Sequence, residues 1–481
     1  MADTHSTKFL GITLDNKLNW NEHVNKQIKK AKNILMQCRK VVGPTWGLNP
    51  KTALWIYTAI VRPTLCYGAM AWANAMRTKT NQENIARVQR LALKMVTGAM
   101  PSTASTALDT ITNTIPITDH LRYCAVKTAY TLMVTGEWEG PIKSDLKNPK
   151  VFTSHANTVS RDFGTLEAEG RTHDLTTPEL TLDRKFSLEI PERDTFVEDG
   201  DKYTIVAYTD GSKINNNAGA GYIIHAGETE LARNSHNLGP DGTVPAAEMY
   251  AIQQTAQYLL DRGTANERIL INCDSQGTIK TLDATTCRSR TTIKTIRHLN
   301  TLAIYNDVMI RWIPAHQGYD GNEMADILAK KGAQEIEEIT LIPIPKAAAY
   351  AALRNKVKTG PIKHTEHMDL MWTERYEKIL PKLNRTDLRA ATHLLTGHCH
   401  LNYHMKKLGK VNTTICEACK LEEETVKHVL TECPALWRLR QETFDRLGLS
   451  MYEISHHQPL RRTISFYKKA MVILHPPGTT P

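Results

Sequence analysis

The middle of this chain is predicted to form an α/β fold, and two observations predict it. Apolar runs typical of strands, at residues 203–208 and 268–273, alternate with helical patterns such as VPAAEMYAIQQTAQYLL. Each element carries an acidic residue at or near one end. Because a layered α/β sheet requires alternating strands and helices, we expect a sheet covered by helices. We expect a mainly helical amino-terminal flank and a small helical carboxyl-terminal flank.

The chain has 481 residues, enough for about three domains that each bury a core. We predict a helical region over residues 1–140, a linker over 141–200, the α/β domain over 201–336 and a helical region over 337–481. The linker segment is rich in Thr, Asp, Glu and Pro and lacks sustained periodicity, although it could pair a short strand with a neighbouring domain.

Membrane-spanning and secreted proteins are excluded by the sequence pattern. The longest nearly apolar stretch, residues 53–60, is soon broken by Arg62 and Pro63, far short of the roughly 20 residues of a membrane helix. The first residues lack the apolar core of a secretory signal. Nine cysteines, three of them in one compact cluster, favour reduced thiols and a bound metal over a disulfide scaffold. We expect an intracellular protein of the nucleus or cytoplasm, with no membrane partner and no obligate protein partner.

The net charge of +10 is unevenly distributed along the chain. Residues 1–140 hold 17 Lys and Arg against 8 Asp and Glu, 141–340 hold 21 against 29, and 341–481 hold 22 against 13. Two basic flanks around an acidic centre suit a protein that grips a phosphate polymer with its flanks and holds cations at its centre. The alternative for any single lysine run is that it only keeps the flank soluble.

Two acidic residues lie in the first strand and the first helix of the predicted α/β domain. Asp210 follows the strand in VAYTDGSK, where we expect Gly211 and Ser212 to begin a turn. Glu248 is expected in the first turn of the helix, whose apolar face includes Ala247 and Ala251.

Two further acidic residues follow in similar contexts. Asp274 comes at the carboxyl end of the strand 268–273, and Ser275 is well placed to begin a helix. Asp326 lies where a strand, a Gly-containing loop and a helix start are expected. Singly, such acids are usually turn, solvated or capping residues. Together they predict one shared pocket.

Such a pocket would suit a metal-dependent nuclease. Two Mg²⁺ ions about 4 Å apart can activate a water and stabilise the leaving oxygen of a phosphodiester. Hard cations need several carboxylate oxygens to hold them. We therefore predict a site for two Mg²⁺ ions, with Mn²⁺ as a substitute.

From about Tyr203 to Ala333 the chain resembles an RNase H domain of the cellular and retroelement type. The resemblance implies a mixed five-stranded sheet with helices and cleavage of the RNA strand of an RNA–DNA hybrid. It places the four catalytic metal-binding acids on Asp210, Glu248, Asp274 and Asp326.

The resemblance also assigns residues that are not metal ligands. It places the mobile loop histidine on His316, which would shuttle a proton or help product leave, unless it is an ordinary loop residue. It implies nucleic-acid contacts at Gly211, Ser212, Thr243 and Gln276: Thr243 would hold a DNA phosphate and Gln276 would reach the RNA minor groove.

The amino-terminal segment resembles another part of a retroelement protein. KFLGITLD, NWNEHV and VQRLALKMVTGA, within residues 7–136, resemble the region after the polymerase palm, including the thumb, of Jockey-like non-LTR retrotransposon reverse transcriptases. No adjacent Asp-Asp pair occurs in the sequence, so we expect no polymerase active site. We interpret the chain as the carboxyl-terminal part of such a polyprotein, as a truncated copy, a gene-model fragment or a retained remnant.

A cysteine and histidine cluster lies near the carboxyl end, over residues 416–433. Cys416, Cys419, His428 and Cys433 have the spacing Cys-x2-Cys-x8-His-x4-Cys, which predicts a closed tetrahedral Zn²⁺ site. The alternative is a metal-free cluster of buried cysteines. Similar knuckles occur at the carboxyl end of the same polyproteins. Because the last two ligands are five residues apart, we expect the helix to bend or end near Pro434.

Four other potential ligands near this cluster, His398, Cys399, His400 and His404, are expected to be loop and surface residues because their spacing fits no regular site.

The leading hypothesis is an RNA–DNA hybrid endonuclease. A second hypothesis is a non-catalytic nucleic-acid-binding remnant that uses its basic flanks and its zinc knuckle. A third is another nuclease or a transposase on the same fold, whose acids typically follow a different spacing.

Overall fold

A computed structural model gives the fold of two compact units, Met1–Ala125 with Val357–Pro481 and Val126–Lys356. We call them the first and the second unit. The structure describes residues 6–137, 172–192, 202–315, 317–335, 339–357 and 372–476. Among the helices in these ranges, none is both long enough and apolar enough to cross a membrane.

The amino-terminal part of the chain is a hairpin followed by helices. Its elements are β1 (Ser6–Phe9), β2 (Ile12–Asp15), α1 (Asn21–Cys38), α2 (Pro50–Ile56), α3 (Arg62–Cys66), α4 (Ala69–Trp72), α5 (Lys79–Thr97), α6 (Ser105–Ile111) and α7 (Ile117–Val134). α5 buries a stripe at helical spacing that includes Ile85, Val88 and Ala92. It ends at Gly98, whose positive φ of 66° favours glycine.

The second unit alternates strands and helices. After α7 come β3 (Leu175–Leu180), β4 (Ser187–Glu189), β5 (Ile205–Ile214), β6 (Asn217–Ala226), β7 (Thr229–Gly239), α8 (Val244–Asp261), β8 (Arg268–Cys273), α9 (Gln276–Asp283), β9 (Thr286–Ser289), α10 (Arg290–Leu302), β10 (Asp307–Trp312), α11 (Asp320–Gln334) and α12 (Lys346–Val357).

The main sheet of the second unit confirms the predicted mixed α/β fold. Its strand order is β4-β10-β8-β5-β6-β7, with β5, β6 and β7 antiparallel and with β8, β10 and β4 parallel to β5. The sheet has six strands where five were expected. The additional strand is β4, whose three residues pair with Met309–Arg311 of β10 and were too few to give a periodic signal.

The segment that the sequence assigned to a linker contributes two strands. β4 extends the main sheet, and β3 pairs antiparallel with β9 in a second, two-stranded sheet. Residues 138–171 and 193–201 lie outside the described residues, so the linker interpretation of those residues stays a prediction.

The turn expected at Gly211 and Ser212 is not found. β5 continues through both residues, which pair with Ala220 and Gly219 of β6. The chain turns instead at Asn215 and Asn216, which have φ values of 49° and 71°. Asparagine tolerates this left-handed region, and two such residues form the tight turn that joins twisted strands.

The carboxyl-terminal part of the chain is again mainly helical. Its helices are α13 (Glu374–Ile379), α14 (Arg385–Thr396), α15 (Asn402–Lys407), α16 (Trp437–Phe444), α17 (Met451–His456) and α18 (Leu460–Leu474). Asn384 caps α14 by accepting a hydrogen bond from the Asp387 amide at 2.9 Å, and α17 begins with a capping box formed by Ser450 and Glu453.

The two flanks of the chain belong to one compact unit. The buried Arg385 guanidinium donates hydrogen bonds to the carbonyls of Leu48 at 2.9 and 2.6 Å, of Gly43 at 3.2 Å and of Met95 at 2.9 Å. A buried charge persists only when its donors are satisfied, so Arg385 ties α14 to the amino-terminal segment. The four-part domain division from the sequence remains a prediction.

Candidate active site and candidate metal centre

Asp210 lies in the central strand β5 and is only 7% exposed. The next residue, Gly211, is where α8 approaches the sheet most closely. A Cβ atom at Gly211 would lie 2.5 Å from the backbone nitrogen of Glu248, closer than real Cβ contacts come. Glycine at this position therefore allows the helix with Glu248 to pack against the strand with Asp210.

A second glycine allows α11, the helix that contains Asp326, to approach β6. Gly221 is the β6 partner of Asp210, and a Cβ atom there would lie 2.4 Å from the backbone nitrogen of Ala329. The helix can therefore lie directly on the strand beside Asp210.

Glu248 lies in the second turn of α8, one turn later than the sequence predicted, because the helix already begins at Val244 with Thr243 as its cap. Its side chain is buried. The Cys273 thiol donates a hydrogen bond to Glu248 Oε2 over 3.4 Å. Sequence analysis missed Cys273, although it directly precedes Asp274.

Asp274 follows the last residue of β8, as predicted, and Ser275 caps α9 by accepting from the Thr278 amide at 3.4 Å. The Asp274 backbone carbonyl accepts from Trp312 Nε1 at 3.0 Å, which fixes the end of the strand. One carboxylate oxygen each from Asp210, Glu248 and Asp274 lies within 4.8 Å of the other two. Three of the four predicted acids therefore meet in one pocket.

Crowding of these carboxylates has an electrostatic cost. Burial, and next the charge of Asp274, raise the pKa of Asp210 to about 7. Burial, and next the charge of Asp210, raise the pKa of Glu248 well above its ordinary value. Like charges in a low-dielectric site disfavour joint ionisation, and a divalent cation between them would remove that cost. The donor set consists of hard oxygens, so the pocket fits Mg²⁺ or Mn²⁺.

Asp326 contacts this group through Asp210, with which its side chain shares a hydrogen bond, although its oxygens are not within 4.8 Å of all three of the other carboxylates. It is half-buried and close enough to Asp210 to contribute to its raised pKa. Its Oδ2 accepts a hydrogen bond from Lys330 Nζ at 2.6 Å, one helical turn further along α11. Lys330 was not singled out by the sequence. His316, the predicted loop histidine, lies outside the described residues.

The residues expected to contact nucleic acid occupy the same edge of the second unit. Thr243 accepts from the Ala246 amide at 3.4 Å, and Gln276 is the first residue of α9. A cleft of about 350 Å³ lies between the amino termini of α8, α9 and α10. Its lining includes three capping residues, Thr243, Ser275 and Ser289. Gly211 and Ser212 lie inside β5 rather than in a loop.

The four predicted zinc ligands come together in the first unit. One ligand atom from each of Cys416, Cys419, His428 and Cys433 lies within 4.8 Å of the others. The Cys416 and Cys433 sulfurs are 3.8 Å apart, and Cys419 Sγ is 3.4 Å from His428 Nε2. With Zn–S near 2.3 Å and Zn–N near 2.0 Å, a tetrahedron has S–S edges of about 3.8 Å and S–N edges of about 3.5 Å. The side chains therefore fit Zn²⁺.

The five-residue step between the last two ligands is accommodated by a π-helical turn. His428–Glu432 is π-helical, and the Cys433 amide donates to the His428 carbonyl at 2.7 Å. A wider turn brings residues i and i+5 onto one face, which an α-helix does not do. The expected change of helix geometry before Pro434 is therefore present as a widened turn.

Two glutamates support the cluster. Glu422 Oε2 is 3.1 Å from His428 Nδ1, an arrangement that directs Nε2 of the ring toward the cysteines. The buried Glu424 carboxylate accepts from the amides of Asn402 at 2.9 Å and Glu417 at 2.8 Å, and it is 2.8 Å from His475 Nε2.

The neighbouring histidine segment agrees only in part with the expectation of loop and surface residues, since His398, Cys399 and His400 lie in the loop between α14 and α15. Cys399 and His404 are buried, His404 lies in α15, and His398 and His400 are half-buried. Ser102 Oγ is 3.0 Å from His398 Nδ1 and 2.9 Å from His404 Nε2. These contacts join distant parts of the first unit, so ligand spacing alone could not reveal them.

The second unit combines a mixed α/β sheet with a pocket of buried carboxylates. Residues 202–334 match the family model described as RNase H. The chain therefore contains an RNase H family domain, the hydrolase class that the sequence resemblance implied.

Curated relatives indicate the kind of polyprotein that the chain resembles. It is 22% identical over 122 residues to the putative 115 kDa protein in type-1 retrotransposable element R1DM of Drosophila melanogaster. This match covers 25% of this chain and 12% of that protein. It is 25% identical over 88 residues to the retrovirus-related Pol polyprotein from type-1 retrotransposable element R1 of Nasonia vitripennis. This match covers 18% of this chain and 26% of that polyprotein. The resemblance to non-LTR retrotransposon polyproteins is confirmed, although the matches span only a minor part of these relatives.

Solved structures give similar matches. RNase H1 from the halophilic archaeon Halobacterium salinarum NRC-1 is 24% identical, over 27% of this chain and 96% of that chain, with a TM-score of 0.23. The protease–reverse transcriptase of prototype foamy virus is 22% identical, over 30% of this chain and 22% of that chain, with a TM-score of 0.25.

Proposed function

We propose that the second unit cleaves the RNA strand of an RNA–DNA hybrid by metal-dependent hydrolysis, leaving a 3′-hydroxyl and a 5′-phosphate. The observation that carries this proposal is the convergence of Asp210, Glu248 and Asp274 from β5, α8 and the end of β8. Their convergence lies inside the range that matches RNase H.

Asp210, Glu248 and Asp274 would hold two divalent cations together with Asp326. When bound, Mg²⁺ or Mn²⁺ would supply an activated water and stabilise the leaving oxygen. Asp326 has to exchange its hydrogen bond with Lys330 for this role. Because Lys330 is about half exposed, its ammonium can return to solvent at little cost.

Substrate recognition would use the cleft at the helix amino termini. Thr243 and the nearby amides of α8 would bind a phosphate of the DNA strand, and Gln276 would reach the minor groove, with Gly211 and Ser212 beside the scissile bond. His316 would move a proton or help product leave. The 2′-hydroxyl and the A-like shape of the hybrid would select it over duplex DNA.

The cluster of Cys416, Cys419, His428 and Cys433 would bind one structural Zn²⁺. All four positions of the tetrahedron are filled by protein side chains, so no coordination position remains for a substrate. The support is that the Cys416–Cys433 and Cys419–His428 separations are close to tetrahedral edges. In the cell, we expect this protein to act in the nucleus or the cytoplasm on retroelement nucleic acid, without polymerase activity.

The deciding experiment compares cleavage of three end-labelled substrates of one sequence: an RNA–DNA hybrid, double-stranded RNA and duplex DNA. With Mg²⁺ present, we expect cleavage of the RNA strand of the hybrid alone, and none with a chelator. Equal cleavage of duplex DNA would instead favour another nuclease on this fold.

A second candidate function, nucleic-acid binding without cleavage, is favoured by one observation. The Asp326 carboxylate is paired with Lys330, whose ammonium occupies an oxygen that a metal ion would need. A protein that shifts the hybrid in a gel but does not cut it with either Mg²⁺ or Mn²⁺ would establish this alternative.

Cys273→Ala is expected to weaken Mg²⁺ binding about tenfold, because Glu248 loses the donor that orients its carboxylate. Cys273→Ser keeps a donor and is expected to restore most of the affinity. Isothermal titration of Mg²⁺ into the full chain checks both variants. If the alanine and serine variants bind Mg²⁺ equally, Cys273 only fills space.

A further inference from the structure

A second group of soft ligands lies in the first unit, away from the cluster at residues 416–433. Cys66 is the last residue of α3, and His120 and Cys124 are one helical turn apart on α7. One ligand atom from each of the three side chains lies within 4.8 Å of the other two. Ligand spacing along the chain does not reveal this group, because Cys66 lies far from the other two residues.

We propose that Cys66, His120 and Cys124 form a second metal site that binds Zn²⁺, with a water molecule as the fourth ligand.

The separations fit a tetrahedral ion. The Cys124 sulfur is 3.5 Å from His120 Nε2. The corresponding sulfur-to-nitrogen edge of a Zn²⁺ tetrahedron is about 3.5 Å. Cys419 and His428 of the other cluster are separated by a similar 3.4 Å. α7 therefore already holds its two ligands at a separation that suits Zn²⁺.

Burial distinguishes the three ligands from one another. Cys66 packs in the apolar core of the first unit, and Cys124 contacts the same core from its edge. His120 and Cys124 are half-buried, which leaves one side of the group open to a water ligand. Two thiolates and an imidazole are soft ligands that select Zn²⁺ over Mg²⁺, so this site would not compete for the ions of the carboxylate pocket.

The charge of the site is balanced by its own ligands. On binding, each thiol releases its proton to solvent as its sulfur coordinates the ion, so two thiolates neutralise Zn²⁺. Arg62 lies one turn before Cys66 on the same helix. Within the described part of the chain, the buried Arg62 Nε has no hydrogen-bond partner, and a thiolate would be an acceptor for it.

The competing explanation is a metal-free chain of sulfur hydrogen bonds, for which a separation of 3.5 Å is also acceptable. The two explanations differ in metal content. In the full chain purified under reducing conditions, the proposal predicts two zinc equivalents, one for each cluster. It predicts that the pair Cys66→Ser and Cys124→Ser leaves one equivalent, whereas Cys38→Ser, which removes a cysteine outside both clusters, leaves two.

Cobalt substitution tests the site separately from the cluster at residues 416–433. In the full chain with Cys416→Ser, we expect Co²⁺ to give a thiolate charge-transfer band that disappears on the further change Cys124→Ser and weakens with His120→Ala. Because Cys416→Ser is expected to unfold the segment around residues 416–433, far-ultraviolet circular dichroism verifies that the helices outside this segment stay folded in all of these variants. Absence of the band in the Cys416→Ser protein, or a band unchanged by Cys124→Ser, would overturn the proposal.

Discussion

Asp210→Asn is expected to reduce Mg²⁺-dependent cleavage of an RNA–DNA hybrid by on the order of 10³-fold or more, equivalent to about 4 kcal/mol of activation free energy. Asp210 lies within 4.8 Å of Glu248 and Asp274, and its side chain also hydrogen-bonds to Asp326. The amide keeps the shape of the side chain but removes the negative charge from the centre of the ligand set. Steady-state cleavage of a labelled hybrid measures the loss.

The same variant is expected to be more stable than the parent protein when a chelator is present. Burial and neighbouring charge raise the pKa of Asp210 to about 7, above the unfolded value of about 3.9. The folded state therefore binds the proton of the Asp210 carboxyl more tightly than the unfolded state does. The stability that this protonation contributes is lost as pH rises from about 4 through 7. At pH 8, Asp210→Asn should raise the unfolding free energy by on the order of 1 to 4 kcal/mol, and near pH 4 by little.

Thermal unfolding in a chelator, recorded at both pH values, separates these effects from misfolding. Glu228→Gln, which changes an exposed acid in the turn between β6 and β7, is the matched control and should alter neither cleavage nor stability. An Asp210→Asn protein that cuts the hybrid at the parent rate would disprove the assignment of the active site.

Cys416→Ser is expected to remove one zinc equivalent and to unfold the segment around residues 416–433. Cys416 is fully buried and lies 3.8 Å from the Cys433 sulfur. Without a bound ion, the buried ligands have little to hold them together, and in small zinc modules the binding free energy is roughly 10 to 16 kcal/mol. Metal analysis combined with limited proteolysis of this segment checks the prediction.

A chelator should reproduce the effect of Cys416→Ser in the parent protein, and added zinc should reverse it there but not in the variant. Lys420→Ser changes an exposed residue of the same turn and should retain the ion. If Cys416→Ser keeps its full zinc content and its resistance to protease, the cluster is only a group of buried thiols.

The positions of the acids could be predicted because they depend on local sequence. The strand before Asp274 and the cap at Ser275 are both visible in a few residues. The path of β5 was harder to predict, because Gly211 and Ser212 are common turn residues. In the fold, Gly211 is needed for the close approach of α8, a tertiary reason that the local sequence does not reveal.

Features that depend on distant parts of the chain were not predictable. β4 has three residues and exists as a strand because β10 offers it a free edge. Arg385 has no distinguishing local context, and its role depends on carbonyls of Gly43, Leu48 and Met95. The ligand spacing indicated that the helix at His428 is irregular, but it did not indicate that the irregularity is a π-helical turn.

The discontinuous make-up of the first unit has a consequence for synthesis on the ribosome. Its amino-terminal helices emerge early, but the arginine that engages their free carbonyls is residue 385. The second unit is one continuous stretch, Val126–Lys356, and all of its sheet partners emerge before that arginine. Since domains generally fold as they leave the ribosome, the second unit should finish folding first. The amino-terminal helices of the first unit can complete their packing only after Arg385 has been synthesised.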